Sequence, residues 1–245
     1  MKIIKTKMLN RYLIKFLFRI GIFITILFFY VINKPLLLQL ITTPIHQGIT
    51  SLHLLWLIFM ITMLFHLFPK QNLSMALLKS QKETFEQQEN HNPLILYRHL
   101  QKQNIAAWRV MLIWICFNMI FGLLYAFDII NEADLFMLTV FYYLCDYICI
   151  LIYCPFQSFL MKNKCCVNCR IYDWGHFMMF TPMLFIKSFY TWSLFFMSLI
   201  VLIKWELIYA KHPERFFEGS NKKLQCQHCK DKTCQIKNNL KKRGN

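Results

Sequence analysis

The chain is poor in glycine, proline and acidic residues, and each shortage limits what it can be. It has 6 Gly and 7 Pro against 24 Phe. Close helix packing through small residues is therefore scarce, and bulky side chains must fill the spaces between helices, which disfavours a wide aqueous pore. Asp and Glu together number 12, whereas Lys and Arg number 28. The resulting net charge of +16 indicates either an anionic partner or a membrane topology in which the basic segments lie on one side.

Three catalytic motifs are absent from the sequence. It contains no Walker-type glycine loop, no serine nucleophile elbow and no H-E-x-x-H helix. These absences disfavour ATPase, serine hydrolase and zinc-protease activity.

The balance of apolar and charged residues predicts a membrane protein. Hydrophobic residues make up 57% of the chain, charged residues only 16%, and the mean hydropathy is +0.38. A soluble domain has about a quarter of its residues charged. The basic residues border apolar runs in several segments rather than forming one patch, which favours the positive-inside rule over nucleic-acid binding. We therefore expect the lipid bilayer as a partner, no nucleic acid, and protein partners that the sequence does not identify.

Long apolar runs predict an all-α, polytopic fold. Runs at 16–32, 49–68, 108–127 and 135–160 each have the length of one membrane span. The stretch 172–210 is too long for one ordinary span and short for two. A polar break at Lys187 would make it a hairpin and give six spans in all, whereas a single tilted helix would give five.

Charge bias favours six spans. The segments 70–107 and 161–171 and the tail after residue 210 are basic, while the turn 128–134 has no Lys or Arg. With a cytosolic N-terminus, every basic segment lies inside only if 172–210 crosses twice. The sequence thus predicts a transmembrane domain over 1–210 with a cytosolic loop at 70–107, and a basic, cysteine-rich cytosolic tail over 211–245. We expect both termini in the cytosol and an inner or plasma membrane as the location.

Six of the ten cysteines fall in two short polar runs, KCCVNCR and QCQHCKDKTC. Each run contains a C-x-x-C, the spacing that lets two thiolates bind one metal ion from a single turn. Two such pairs would complete a four-sulfur site, for which zinc is favoured and an iron–sulfur cluster is the alternative. The predicted ligands are Cys166, Cys169, Cys226 and Cys229, with Cys165, Cys234 and His228 in reserve. Two independent groups of free or redox-active thiols remain the other interpretation.

The fourth predicted span carries an acidic residue and three cysteines, Cys145, Cys149 and Cys154. An ionisable group in the bilayer is costly and marks a functional site by default, so Asp146 is a candidate, with His53 and His66 of the second span as possible partners. A protonated, hydrogen-bonded Asp146 is the structural alternative. Cys145 and Cys149 share one helical face, where small apolar packing is their simpler role. Haem is not expected, because only the second span clearly carries histidines.

These patterns lead to three hypotheses about function. The first is a binding or scaffold protein whose cytosolic cysteines hold a structural zinc ion. The second is a membrane oxidoreductase that uses an iron–sulfur centre or thiols. The third is a small ion or metal transporter through the second and fourth spans. The sequence leaves open whether the protein is an enzyme.

Overall fold

Helices predominate in the described residues, which also contain one short pair of strands. The computed structural model describes residues 6–42, 44–46, 49–68, 74–89, 92–163 and 165–237. The α-helices are α1 (Lys7–Ile32), α2 (Lys34–Thr42), α3 (Ser51–Leu67), α4 (Met75–Leu78), α5 (Pro93–Ala126), α6 (Glu132–Leu151), α7 (Gly175–Phe180) and α8 (Phe189–Lys211). The strands are β1 (Pro44–His46) and β2 (Ile49–Thr50), which pair antiparallel. Short 3-10 turns lie at Lys82–Thr84, Arg170–Trp174, Thr181–Phe185, Pro213–Phe216 and Lys222–Leu224, and a π-helical turn lies at Phe156–Leu160.

Local sequence signals explain where the long helices begin. Asn92 caps α5 by accepting a hydrogen bond from the Leu94 amide at 2.9 Å, and Pro93 occupies the first helical position. Asn131 and Asp134 form a capping box at the start of α6. The sequence predicts a short interfacial helix before the third span, but α5 continues without a break for 34 residues. Its middle has neither Gly nor Pro before Gly122 to interrupt it.

Among the described residues, four helices are long and apolar enough to cross a membrane, which is fewer than the six predicted spans. They are α1, α5, α6 and α8. The second predicted span forms α3, an apolar helix of only 17 residues. The fourth ends earlier than predicted, at Leu151 rather than Leu160, because the residue before Pro155 is disfavoured in helical conformation.

The stretch 172–210 is a helical hairpin with unequal arms. Residues 170–185 form the first arm from two 3-10 turns and α7, and α8 forms the second. The chain reverses at residues 186–188, where the sequence places the polar break. The Trp192 indole donates to the Leu184 carbonyl at 3.2 Å near this reversal, and the Trp205 indole donates to the Arg170 carbonyl at 2.6 Å at the other end. The two arms are therefore antiparallel, and residues of the first arm are largely buried within the bundle.

Contacts define two ends of the helical bundle. At one end, which we call the cap end, the Lys204 ammonium contacts the Leu67 carbonyl and Arg170 pairs with Glu206. At the other, the far end, Lys34 pairs with Asp134 at 2.7 Å. Also at the far end, the Tyr190 hydroxyl lies 2.6 Å from His53. Of the described residues, 161–163, 165–169 and 212–237 pack at the cap end together with α4.

Aromatic side chains fill the core, as the shortage of small residues predicts. Trp114 and Tyr142 lie with ring centroids 4.7 Å apart, and Phe59 meets Phe180 edge-on at 5.2 Å. Gly122 of α5 lies close to Phe185 in the first arm of the hairpin. A Cβ atom at Gly122 would clash with the Phe185 ring.

Candidate functional site

A buried lysine holds the loop that carries the first cysteine run. Lys79 is 2% exposed, and its ammonium donates to the carbonyls of Val167 at 2.7 Å and Cys169 at 2.6 Å. The rings of Trp205 and Phe216 lie 5.3 and 5.4 Å from the ammonium, close enough for cation–π attraction. Burial lowers the pKa of Lys79 to about 8, although nearby Cys169 opposes that change. The lysine thereby fixes the loop backbone on the cap end of the bundle.

A buried aspartate holds the second cysteine run. Asp231 is 1% exposed, and its carboxylate accepts from the Met75 amide, with oxygens at 3.2 and 3.3 Å. Burial raises the pKa of Asp231 to about 6, and the hydrogen bonds from Met75 and Ala76 oppose that rise. The contact ties the tail to the start of α4.

The tail and the loop bring four thiols together, in what we call the outer group. The thiols of Cys165 and Cys234 lie beside each other, and their interaction lowers the pKa of Cys234 to about 7. Cys226 and Cys229 lie close enough to interact electrostatically with Cys234. The Cys229 sulfur accepts from the Lys232 amide at 3.5 Å, and Cys226 is exposed to solvent. The outer group is therefore accessible from the polar side.

A second set of four cysteines lies deeper, and we call it the inner group. Cys149 near the end of α6 lies beside Cys154, because the chain turns back between them. The Cys154 sulfur also accepts from the Gln157 amide at 3.4 Å. Cys166 and Cys169 are buried and lie close enough to interact electrostatically with Cys154.

Cys166 connects the two groups. It follows Cys165 of the outer group directly in the chain, yet its thiol donates to the Gln157 side-chain oxygen at 3.0 Å in the inner group. The Lys237 ammonium lies 2.8 Å from the Cys166 sulfur and 2.6 Å from the Cys149 carbonyl. Burial raises the pKa of Cys166 to about 11, and Lys237 opposes that rise by favouring the thiolate.

The predicted metal ligands are divided between the two groups. Cys166 and Cys169 belong to the inner group, whereas Cys226 and Cys229 belong to the outer group. His228 is exposed and contacts Gln227 at 3.2 Å. Within the ranges that the structure describes, no group of three or more His, Cys, Asp or Glu side chains is arranged to hold a metal ion. The zinc and iron–sulfur centres remain predictions.

Asp146 pairs with an arginine rather than with a histidine of α3. The Arg19 guanidinium of α1 lies 2.8 Å from the Asp146 carboxylate and donates to the Tyr143 carbonyl at 2.5 Å. The guanidinium also lies 3.9 Å from the ring centroids of both Tyr143 and Tyr147. Gly175 leaves room for the carboxylate, because a Cβ atom there would approach it to 2.9 Å. The pair joins α1 to α6 inside the bundle.

A second polar pair lies beside the first. His66 of α3 contacts the Asp173 carboxylate at 2.5 Å and His176 at 3.5 Å between the Nε2 atoms. Together with Arg19 and Asp146, these side chains line a cavity of about 230 Å³ that also reaches Arg11 and Lys15 of α1. The cavity is a charged space between helices that are otherwise apolar.

The other predicted residues of the spans take different places. His53 lies at the far end, in contact with Tyr190 and with the Thr50 hydroxyl at 2.7 Å, and so does not reach Asp146. Cys149 belongs to the inner group, and Cys145 borders an apolar cavity next to it.

Sequence reasoning missed Arg19, Cys154, Asp173, His176 and Lys237 as members of these sites. Arg19 and Asp173 are ionisable residues within or beside apolar runs, and that signal would have identified them. The Cys149–Cys154 contact depends on the turn after α6, and the Cys166–Lys237 contact joins distant parts of the chain. No spacing in the sequence indicates either contact.

The chain was compared with family models, curated proteins and solved structures, and none of them matches it.

Proposed function

We propose that this protein is a membrane thiol–disulfide oxidoreductase whose outer group exchanges electrons with a dithiol or disulfide substrate. The observation that carries the proposal is the contact between the thiols of Cys165 and Cys234, which come from the loop and the tail. A dithiol can form and break a disulfide only when its two sulfurs meet. Cys234 is the candidate for attack, since its interaction with Cys165 lowers its pKa to about 7 and so favours the thiolate.

The exchange can be written with two electrons and two protons. The Cys234 thiolate attacks one sulfur of a substrate disulfide, and the other substrate sulfur leaves as a thiolate that takes up a proton. Cys165 then attacks the mixed disulfide, so that the substrate leaves as a dithiol and Cys165–Cys234 becomes the disulfide. The reverse sequence oxidises a substrate dithiol.

Six membrane crossings belong to the proposal. The cap end and the far end alternate along α1, α3, α5, α6, residues 170–185 and α8, as crossings in alternating directions require. This arrangement supports a topology in which both termini and the six clustered cysteines lie on the same side of the membrane. The positive-inside rule assigns that side to the cytosol, because the segments there are rich in Lys and Arg.

Exchange with a model peptide tests the oxidoreductase proposal. The purified protein in mild detergent is mixed with a peptide disulfide, and the peptide dithiol formed is measured over time. Cys234→Ser should lower the initial rate by at least about tenfold, because a hydroxyl is not a nucleophile in this exchange. Cys116→Ser is the matched control, since Cys116 is an exposed thiol on α5 outside both groups. Equal rates for Cys234→Ser and the control would contradict the proposal.

The zinc hypothesis makes the opposite prediction for the same thiols. The outer group supports it through the C-x-x-C turn, in which the Cys229 sulfur accepts from a backbone amide as metal-binding thiolates do. If zinc is bound, the purified protein should contain about one metal ion per chain, and Cys226→Ser should lose it. Thiol–disulfide exchange with the peptide should then begin only after a chelator has removed the metal. Elemental analysis of the purified chain therefore separates the two functions.

The charged cavity favours ion or proton movement as a second candidate function. Ionisable side chains from α1, α3, α6 and the hairpin meet there, and such groups inside a membrane bundle mark ion pathways. Proton flux into liposomes can be followed with a trapped pH-sensitive dye. Flux that is abolished by Asp146→Asn, with folding intact, would support this function. Flux that is absent in the unaltered protein would contradict it.

A further inference from the structure

The inner group borders an apolar cavity that nothing in the thiol exchange uses. The cavity has a volume of about 450 Å³, within the usual range for small-molecule sites. Seven aromatic side chains line it, among them Trp114, Phe117, Phe141, Tyr142, Tyr153 and Phe156. Cys149, Cys154 and Cys166 form part of the same wall. A flat apolar ring in this space would therefore lie against sulfur atoms.

The cavity opens sideways, between α5 and α6. Phe117, Phe141 and Tyr153 on its rim are 45%, 44% and 47% exposed. In a bilayer, these rings would face the hydrocarbon region, so that a lipid-soluble molecule could enter without crossing water. A water-soluble ligand has no comparable route on that side, because the lining is mostly apolar.

We propose that this cavity binds a quinone, which accepts electrons from Cys149 and Cys154. The proposal rests on the proposed thiol function and names the electron acceptor for it. Three observations select a quinone among apolar occupants: two thiols in contact, aromatic rings that stack on a flat ring, and an opening towards lipid. An acyl chain would use the opening but would need neither the thiols nor the aromatic lining.

The reaction balances in atoms and electrons. Cys149 and Cys154 together lose two electrons and two protons as their S–S bond forms. The quinone takes up the two electrons and the two protons and becomes a quinol. Cys166 then attacks the new disulfide, which releases one of its two thiols and leaves the other sulfur bound to Cys166. Adjacent Cys165 attacks the Cys166 sulfur, which releases the second thiol and forms a Cys165–Cys166 disulfide. Cys234 attacks the Cys165 sulfur, so that Cys166 leaves as a thiol and Cys165–Cys234 becomes the disulfide. A substrate dithiol finally reduces the outer pair by the exchange described above.

A short-chain benzoquinone with a decyl tail tests the proposal in two measurements. First, its azido derivative is photo-crosslinked to the complete protein in detergent, and the labelled peptides are mapped by mass spectrometry. Labels on Trp114, Phe117 and residues 141–156, removed by excess unlabelled quinone, are expected. Second, the pre-reduced protein should bleach about one equivalent of quinone as a Cys149–Cys154 disulfide appears.

Two variants provide the comparison. Cys145→Trp fills the cavity without removing a thiol of the Cys149–Cys154 pair, and it should abolish both labelling and quinone reduction. Cys116→Trp places the same side chain on an exposed part of α5 and should leave both unchanged. If Cys145→Trp does not fold, the peptide map and the thiol oxidation of the unaltered protein decide the matter.

The outcomes separate this proposal from the function on which it rests. Absent or non-competable labelling would overturn the quinone site, whatever the peptide exchange assay gives. Labelling without oxidation of Cys149 and Cys154 would also overturn it and show a site for apolar chains only. Quinone reduction without peptide exchange would support the quinone site and contradict the outer pair as the substrate site.

Discussion

At the scale of single residues, the Arg19–Asp146 pair shows that a charged side chain inside an apolar helical bundle needs a counter-charge. The carboxylate is 30% exposed and the guanidinium 13% exposed, so each depends on the other for compensation. Sequence reasoning identified Asp146, because an acidic residue in an apolar run is conspicuous. It named His53 and His66 as possible partners and did not consider Arg19, since helix order alone does not show that α1 packs on α6.

Substitutions at this pair should have unequal effects on stability. Asp146→Leu leaves the Arg19 guanidinium buried without a counter-charge, which should cost about 3–5 kcal/mol of unfolding free energy. The double variant Arg19→Met with Asp146→Leu removes both charges and should recover most of that loss. Thermal unfolding in detergent measures both. A double variant as unstable as Asp146→Leu would show that the pair is not what holds α1 on α6.

At the scale of elements, the sequence predicts where helices begin and where apolar runs lie. It does not predict where a helix is interrupted by 3-10 turns. Asn92-Pro93 signals the start of α5 through capping chemistry, and the structure confirms it. The first arm of the hairpin is different, because its 3-10 turns are stabilised by buried tertiary contacts rather than by local propensity. Length and hydropathy therefore predict the reversal near Lys187 but not the irregular arm before it.

The packing of that arm against α5 depends on Gly122. Gly122→Ala places a methyl group against the Phe185 ring and should destabilise the protein by about 1–3 kcal/mol through overpacking. Phe185→Leu should rescue it by making room. Gly21→Ala is the control, since a Cβ atom at Gly21 meets nothing within 4 Å, and it should be neutral or slightly stabilising. Equal unfolding temperatures for the two alanine variants would contradict the close approach.

At the scale of the whole molecule, the alternation of helix ends predicts six crossings. Reporter fusions at Lys187 and after the tail should report opposite sides of the membrane, with the tail in the cytosol. A fusion series at Lys34 and at 128–131 should agree with Lys187, since these positions share the far end. A tail reporter on the outside would contradict the topology, and with it the cytosolic placement of the cysteines.

The two cysteine groups show how far sequence could define the site. The C-x-x-C spacings correctly drew attention to both polar runs, because local spacing is visible in a sequence. The partners of each sulfur were not visible, since adjacent Cys165 and Cys166 point into different groups and Cys149 and Cys154 come from the end of a predicted span. Long-range contacts through Lys79, Asp231 and Lys237 decide those partners.

A disulfide map of the mildly oxidised protein tests the central claim most directly. The complete chain in detergent is oxidised, free thiols are blocked by alkylation, and cross-linked peptides are identified by mass spectrometry. We predict Cys165 linked to Cys234 and Cys149 linked to Cys154, with Cys116 alkylated. Linkage of Cys226 to Cys229 alone, or all ten cysteines alkylated after oxidation, would contradict the pairing on which the proposed function rests.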